Sequence, residues 1–139
     1  MWGAYAVARV AGPRLPAGGS ITYTSGTLRV RPVVGMAMAA AGAGALEVLT
    51  RALAVELAPL RVRVNAIRPG ATDTPLMRRF HGTGPDDPAT NDVVAEFGDT
   101  LPLGRVGTAE EAAAAALFLM ANTYVTGTVV TVDGGQLLK

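Results

Sequence analysis

The chain has 139 residues, half of them hydrophobic and 17% charged, with a formal net charge of +1. That length and balance fit one globular domain with a sizeable core, and the absence of cysteine excludes disulfides and thiolate metal sites. The arginines are scattered and aromatic residues reach only 5%, which argues against a nucleic-acid binder.

The charge is unevenly spread. Residues 1–79 hold ten arginines against Glu47, Glu56 and Asp73, while residues 80–139 hold Arg105 and Lys139 against eight acids. Solvated helix faces and internal pairing account for this more simply than a charged ligand does. The longest apolar run, Val33 to Leu46, is too short to span a bilayer. Met1-Trp2-Gly3-Ala4-Tyr5 carries no cationic leader. The reading is therefore a cytoplasmic protein with no membrane or nucleic-acid partner.

In chain order, residues 3–15 predict a helix that ends near Pro13 to Pro16. Residues 20–25 alternate and are rich in β-formers, so they predict a strand. Residues 35–58 predict a long helix whose buried stripe is Leu46, Leu49, Leu53 and Leu57, with Pro59 near its end. A second strand is expected at 62–67. Five prolines break up residues 68–107, leaving room for short helices near 75–80 and 91–98. Thr108-Ala109-Glu110-Glu111 has the form of a capping box opening a helix to about Ala121. A last strand is expected at 128–132. Strands alternating with helices imply a parallel sheet in an α/β fold.

Five segments, in order, carry a family resemblance. They are Gly18-Gly19-Ser20-Ile21-Thr22-Tyr23-Thr24-Ser25, Leu49-Thr50-Arg51-Ala52-Leu53-Ala54-Val55-Glu56-Leu57-Ala58, Val62-Arg63-Val64-Asn65-Ala66-Ile67-Arg68-Pro69-Gly70-Ala71-Thr72-Asp73-Thr74, Leu103-Gly104-Arg105-Val106-Gly107-Thr108-Ala109-Glu110-Glu111, and Val125 through Gly135. Together they resemble the C-terminal half of a short-chain dehydrogenase/reductase. The resemblance implies a truncated Rossmann-like fold, a single domain over 1–139 with about three parallel strands and flanking helices. It also implies that the dinucleotide-binding first half is not represented.

The same resemblance places a catalytic Tyr at Ala39, a Lys at Ala43 and a Ser at Gly26. Ser25 is one residue early, and one residue on a strand turns a side chain to the opposite face. Ala and Gly offer no proton, charge or hydrogen bond from the side chain. Gly42-Ala43-Gly44 and Gly82-Thr83-Gly84 follow no strand and make weak dinucleotide motifs. The expectation is accordingly no bound cofactor and no metal.

The remaining polar residues define a candidate pocket for a small-molecule ligand. Asp73 and His81 are the candidate acid/base residues, His81 being the only histidine. Ser25, Tyr23, Arg68, Thr72, Thr74 and Met77 are candidate pocket residues, with Tyr23 also readable as a packed aromatic and Thr72 and Thr74 as helix caps. The favoured function is a cofactor-free isomerase, cyclase or lyase that uses the family's former substrate pocket. The alternatives are a non-catalytic partner subunit or half of a split oxidoreductase. The apolar strand at 20–25 would lie at a bare sheet edge, and the helix at 35–58 resembles the family's dimer-forming helix. A homodimer built on the helices at 3–15 and 35–58 is therefore expected.

Overall fold

Strands β1 (Ser20–Thr24), β2 (Arg63–Pro69) and β3 (Val129–Val132) form one parallel sheet with β2 in the middle. The register sets Ser20 opposite Arg63 and Thr24 opposite Ile67, then Ala66 opposite Val129 and Pro69 opposite Val132. Parallel neighbours cannot be joined by a tight turn, so each connection carries helix. Helix α1 (Trp2–Ala11) precedes β1, and α2 (Ala37–Glu56) joins β1 to β2. Helices α3 (Pro75–His81), α4 (Ala89–Asp99) and α5 (Ala109–Ala121) lie between β2 and β3. The computed structural model describes residues 1–81 and 87–139, the side chain of His81 excepted.

Side-chain alternation assigns the two faces of the sheet. Val62 and Val64 pack with Ala8 of α1 and with Leu53, Ala54 and Leu57 around α2, and Ile21 and Tyr23 of β1 join them. Arg63 and Asn65 point the other way. Asn65 donates to the Val125 carbonyl at 2.8 Å and accepts from Thr128 N at 3.2 Å. Arg63 donates to the carbonyls of Leu119 and Met120, each at 2.7 Å, where α5 ends. β2 is thus covered on both faces, as a central parallel strand must be.

Three sequence expectations need adjustment. The first helix stops at Ala11, and Gly12–Arg14 follows as a 3-10 turn, because Pro13 cannot donate to a continuing helix. The fully buried positions of α2 are Glu47, Thr50, Leu53 and Ala54 rather than a pure leucine stripe; Leu46 and Leu49 are half-buried. An ion-paired carboxylate at Glu47 rotates the buried face by one residue. Finally, α2 is 20 residues long with a mean hydropathy of 1.4, so by length and composition it could cross a membrane. Here it packs on β2 and carries Glu47 in ion pairs. The capping box at Thr108 forms as expected, with Thr108 Oγ1 accepting from Glu111 N and Glu111 accepting from Thr108 N at 2.8 Å.

Candidate functional site

All three strands run in the same direction, so their C-terminal ends converge on one edge. In open α/β sheets this is where ligands bind. β1 delivers Ser25, β2 delivers Pro69-Gly70, and β3 delivers Asp133.

The loop after β2 is pinned by close approach. A Cβ on Gly70 would sit 2.6 Å from Asp133 Cβ and 2.6 Å from Gln136 Oε1. No larger residue fits without moving backbone. Ala71 N donates to Gln136 Oε1 at 2.9 Å, and Asp133 accepts from Gly135 N at 2.9 Å and Leu137 N at 3.0 Å. The segment after β3 therefore fixes the loop after β2.

Beneath this loop lies an ion cluster that joins three elements. The Glu47 side chain on α2 is 1% exposed and meets Arg68 of β2 through bonds of 2.7 and 2.6 Å. Arg29 Nε lies 2.8 Å from the same carboxylate. Ser25 Oγ donates to Glu47 at 2.9 Å and lies 3.3 Å from the Ala43 carbonyl. Burial pushes the Glu47 carboxyl upward, but the hydrogen bonds from Arg68 and Ser25 and the two guanidinium charges hold it below its ordinary value. The same partnership raises Arg68.

The cluster brings together two of the sequence candidates, Ser25 and Arg68, through a residue that was not singled out. The Ser25 hydroxyl faces α2, the helix that carries Ala39 and Ala43, and not the opposite side that its one-residue offset suggests. Glu47 and Arg29 escaped notice because a lone glutamate on a helix reads as a solvated charge. The available signal was its place beside Leu46 and Leu53 on the apolar side.

The other candidates are dispersed. Tyr23 lies in the core face, and its hydroxyl donates to the Ala4 carbonyl at 2.9 Å; burial raises the phenol. Thr74 Oγ1 accepts from Met77 N at 3.3 Å and so caps α3, while the Met77 side chain is buried. Thr72 Oγ1 donates to the Gly70 carbonyl at 3.2 Å. Asp73 is clasped by Arg78 at 2.7 and 2.8 Å. The hydrogen bond from Arg78 keeps its carboxyl below the ordinary range, which makes it a weak base. A cleft of about 110 Å³ opens between Thr72, Arg105, Glu111 and Asp133. His81 closes α3, and its side chain falls outside the described residues, as does Gly82-Thr83-Gly84.

Ala39 is exposed and Ala43 half-buried, and neither carries a group to hold a ribose. A Cβ on Gly26 or Gly42 would meet nothing within 4 Å, so this end of α2 borders open space.

The sequence matches the family profile described as "Enoyl-(Acyl carrier protein) reductase" over residues 1–136. It is 42% identical over 120 residues to a short-chain dehydrogenase/reductase of Stachybotrys chlorohalonatus, covering 86% of this chain and 44% of that protein. It is 39% identical over 120 residues to a 3-oxoacyl-[acyl-carrier-protein] reductase of Chlamydia muridarum, covering 85% of this chain and 45% of that protein. The chain thus spans less than half the length of these two relatives. Its fold superposes on a small-chain dehydrogenase crystallised with NADPH at a TM-score of 0.86, with 42% identity, covering 100% of this chain and 60% of the other.

These relationships correct the functional expectation. A cofactor-free isomerase, cyclase or lyase, or a non-catalytic subunit, does not accord with relatives named as reductases and dehydrogenases, one of them holding NADPH. Three side-chain positions weigh less than a resemblance over the whole chain. The family relation spans residues 1–136.

Proposed function

Because the chain belongs to the short-chain dehydrogenase/reductase family, we propose that it forms the substrate-facing C-terminal portion of an NAD(P)(H)-dependent oxidoreductase acting on a carbonyl or alcohol. The observation that carries this reading is the superposition of the whole chain on part of a dehydrogenase in complex with NADPH. The ligand-side edge supports it, with the Gly70 loop locked against Asp133 and Gln136.

Carbonyl reduction needs a hydride and a proton, and the nicotinamide cofactor, when bound, supplies the hydride. In this reading Gly26, Ala39 and Ala43 stand where relatives carry their Ser, Tyr and Lys. Proton delivery then comes from water admitted over the open surface at Gly26 and Gly42. The Glu47–Arg68 pair holds α2 and the Gly70 loop at fixed separation, which positions the substrate-side wall.

The reading includes a homodimer through α1 and α2. Trp2, Val7 and Val10 on α1 and Met38, Val48 and Val55 on α2 are exposed apolar side chains, an arrangement expected of a protein interface. Native mass spectrometry gives its stoichiometry, and a monomer at micromolar concentration refutes it.

The functional test is NADPH titration of the chain joined to the nucleotide-binding first half of a relative, combined with NADPH oxidation over a panel of ketones, aldehydes and 3-oxoacyl thioesters. Saturable binding with carbonyl-dependent oxidation is the expected result. A folded fusion that binds NADPH but oxidises it with none of these carbonyls overturns the proposal.

A further inference from the structure

A groove of about 410 Å³ lies at the opposite end of the sheet, where β2 begins and the chain prepares to enter β3. Ala54, Ala58 and Val62 form its apolar floor, and Arg61, Arg63 and Thr123 stand around it. None of its lining residues is acidic.

Two features set this groove apart. Arg63 is only 8% exposed, yet it has no carboxylate partner among the described ion pairs. Its terminal nitrogens reach the carbonyls of Leu119, Met120 and Val125, and its Nε is buried without a hydrogen bond. The carbonyl end of α5 supplies a partial negative charge, which only partly offsets a buried full positive one.

Arg61 adds a second guanidinium. It is exposed and makes no ion pair among the described residues. It is also the one non-glycine residue described with a positive φ, at 56°. Glycine adopts that backbone freely, whereas an L side chain strains it. The position thus carries a long cationic side chain at a conformational cost, at the mouth of an acid-free groove.

We propose that this groove binds a small organic carboxylate with a short apolar body. The carboxylate pairs with Arg61, within the field of the buried Arg63. The apolar body rests on Ala54, Ala58 and Val62. Arg63 keeps its carbonyl bonds and acts through its charge. The apolar floor favours a carboxylate over inorganic phosphate, which has no apolar part. The site is separate from the strand ends that face the redox chemistry, and it stands whether or not that chemistry is confirmed.

The test is an amide NMR titration of the full chain, following Gly18, Thr123 and Thr126, with butyrate, butyramide and inorganic phosphate as probes. Butyrate is expected to give saturable shifts confined to the groove. Butyramide, which lacks the charge, is expected to bind at least about tenfold more weakly. Arg61→Gly relieves the left-handed backbone, so it keeps the fold while weakening butyrate about tenfold; Arg61→Lys retains most of the binding. Equal binding of butyrate and butyramide, an indifferent Arg61→Gly variant, phosphate binding without butyrate binding, or no saturable shift with butyrate would each overturn the proposal.

Discussion

Arg68 meets Glu47 through two hydrogen bonds of 2.7 and 2.6 Å, tying the middle strand to α2 one helical turn beyond Ala43. Both side chains are largely withdrawn from water, at 16% and 1% exposure. A buried pair of this kind is costly to break from one side, because the surviving charge is stranded. Glu47→Ala leaves Arg68 and Arg29 without their carboxylate. The expected loss is roughly 3–5 kcal/mol in urea unfolding. Glu47→Leu combined with Arg68→Met is expected to cost clearly less than the sum of the single changes. Additive losses would show that the pair is not coupled.

Acid sensitivity follows from the same carboxylates. Glu47 and Asp73 are held below their ordinary values, and Glu111 is lowered to about 2 by Arg105 and by the Thr108 amide. The unfolded chain takes up protons first as pH falls. Their contribution to stability is therefore complete above the ordinary glutamate value of 4.5, and is lost as pH drops through the folded values towards about 2. Thermal melts across this range should show a falling Tm. Glu47→Gln should flatten that slope, and an unchanged slope would count against the assignment.

Gly70 leaves no room for a methyl group. Gly70→Ala drives a Cβ to 2.6 Å from both Asp133 Cβ and Gln136 Oε1. The backbone of the loop must shift, at roughly 1–3 kcal/mol. Amide exchange should rise at Ala71 and Leu137, whose hydrogen bonds hold the loop to the segment after β3. Unaltered exchange would mean that the loop is fixed by other contacts.

Helix α5 rests on its capping box. Thr108→Ala removes the oxygen that accepts from Glu111 N and should cost about 1 kcal/mol. Thr108→Ser, which keeps that oxygen, should recover most of the loss. Denaturation midpoints of the two variants decide the matter.

The proposed proton route predicts a gain of function. If Ala39 and Ala43 occupy the Tyr and Lys positions of the family, then Ala39→Tyr with Ala43→Lys introduces an acid/base group on α2. Carbonyl-dependent NADPH oxidation by the chain joined to a relative's nucleotide-binding half should rise roughly a hundredfold or more. Neither single change should match the pair. A pair that folds, binds NADPH and shows no gain would place the proton donor elsewhere.

The sequence alone determined the order of the elements, the three parallel strands and the capped α5. These are local matters: strand alternation in Ser20–Thr24, the prolines that end helices, and the Thr108–Glu111 spacing each act within a few residues. Strand parity alone did not place the Ser25 hydroxyl, which lies past the end of β1 and bonds to Glu47 on α2. The tertiary structure decided which charges are buried. Glu47 and Arg68 are 21 residues apart and Arg29 lies in a third segment, so only the packing of α2 on β2 turns a solvent-seeking carboxylate inward. It likewise decided that Asp73 belongs to Arg78, that Tyr23 belongs to the core, and that Arg61 and Arg63 share a groove without an acid. Charge pairing depends on distance in space and on exclusion of water, and chain position specifies neither.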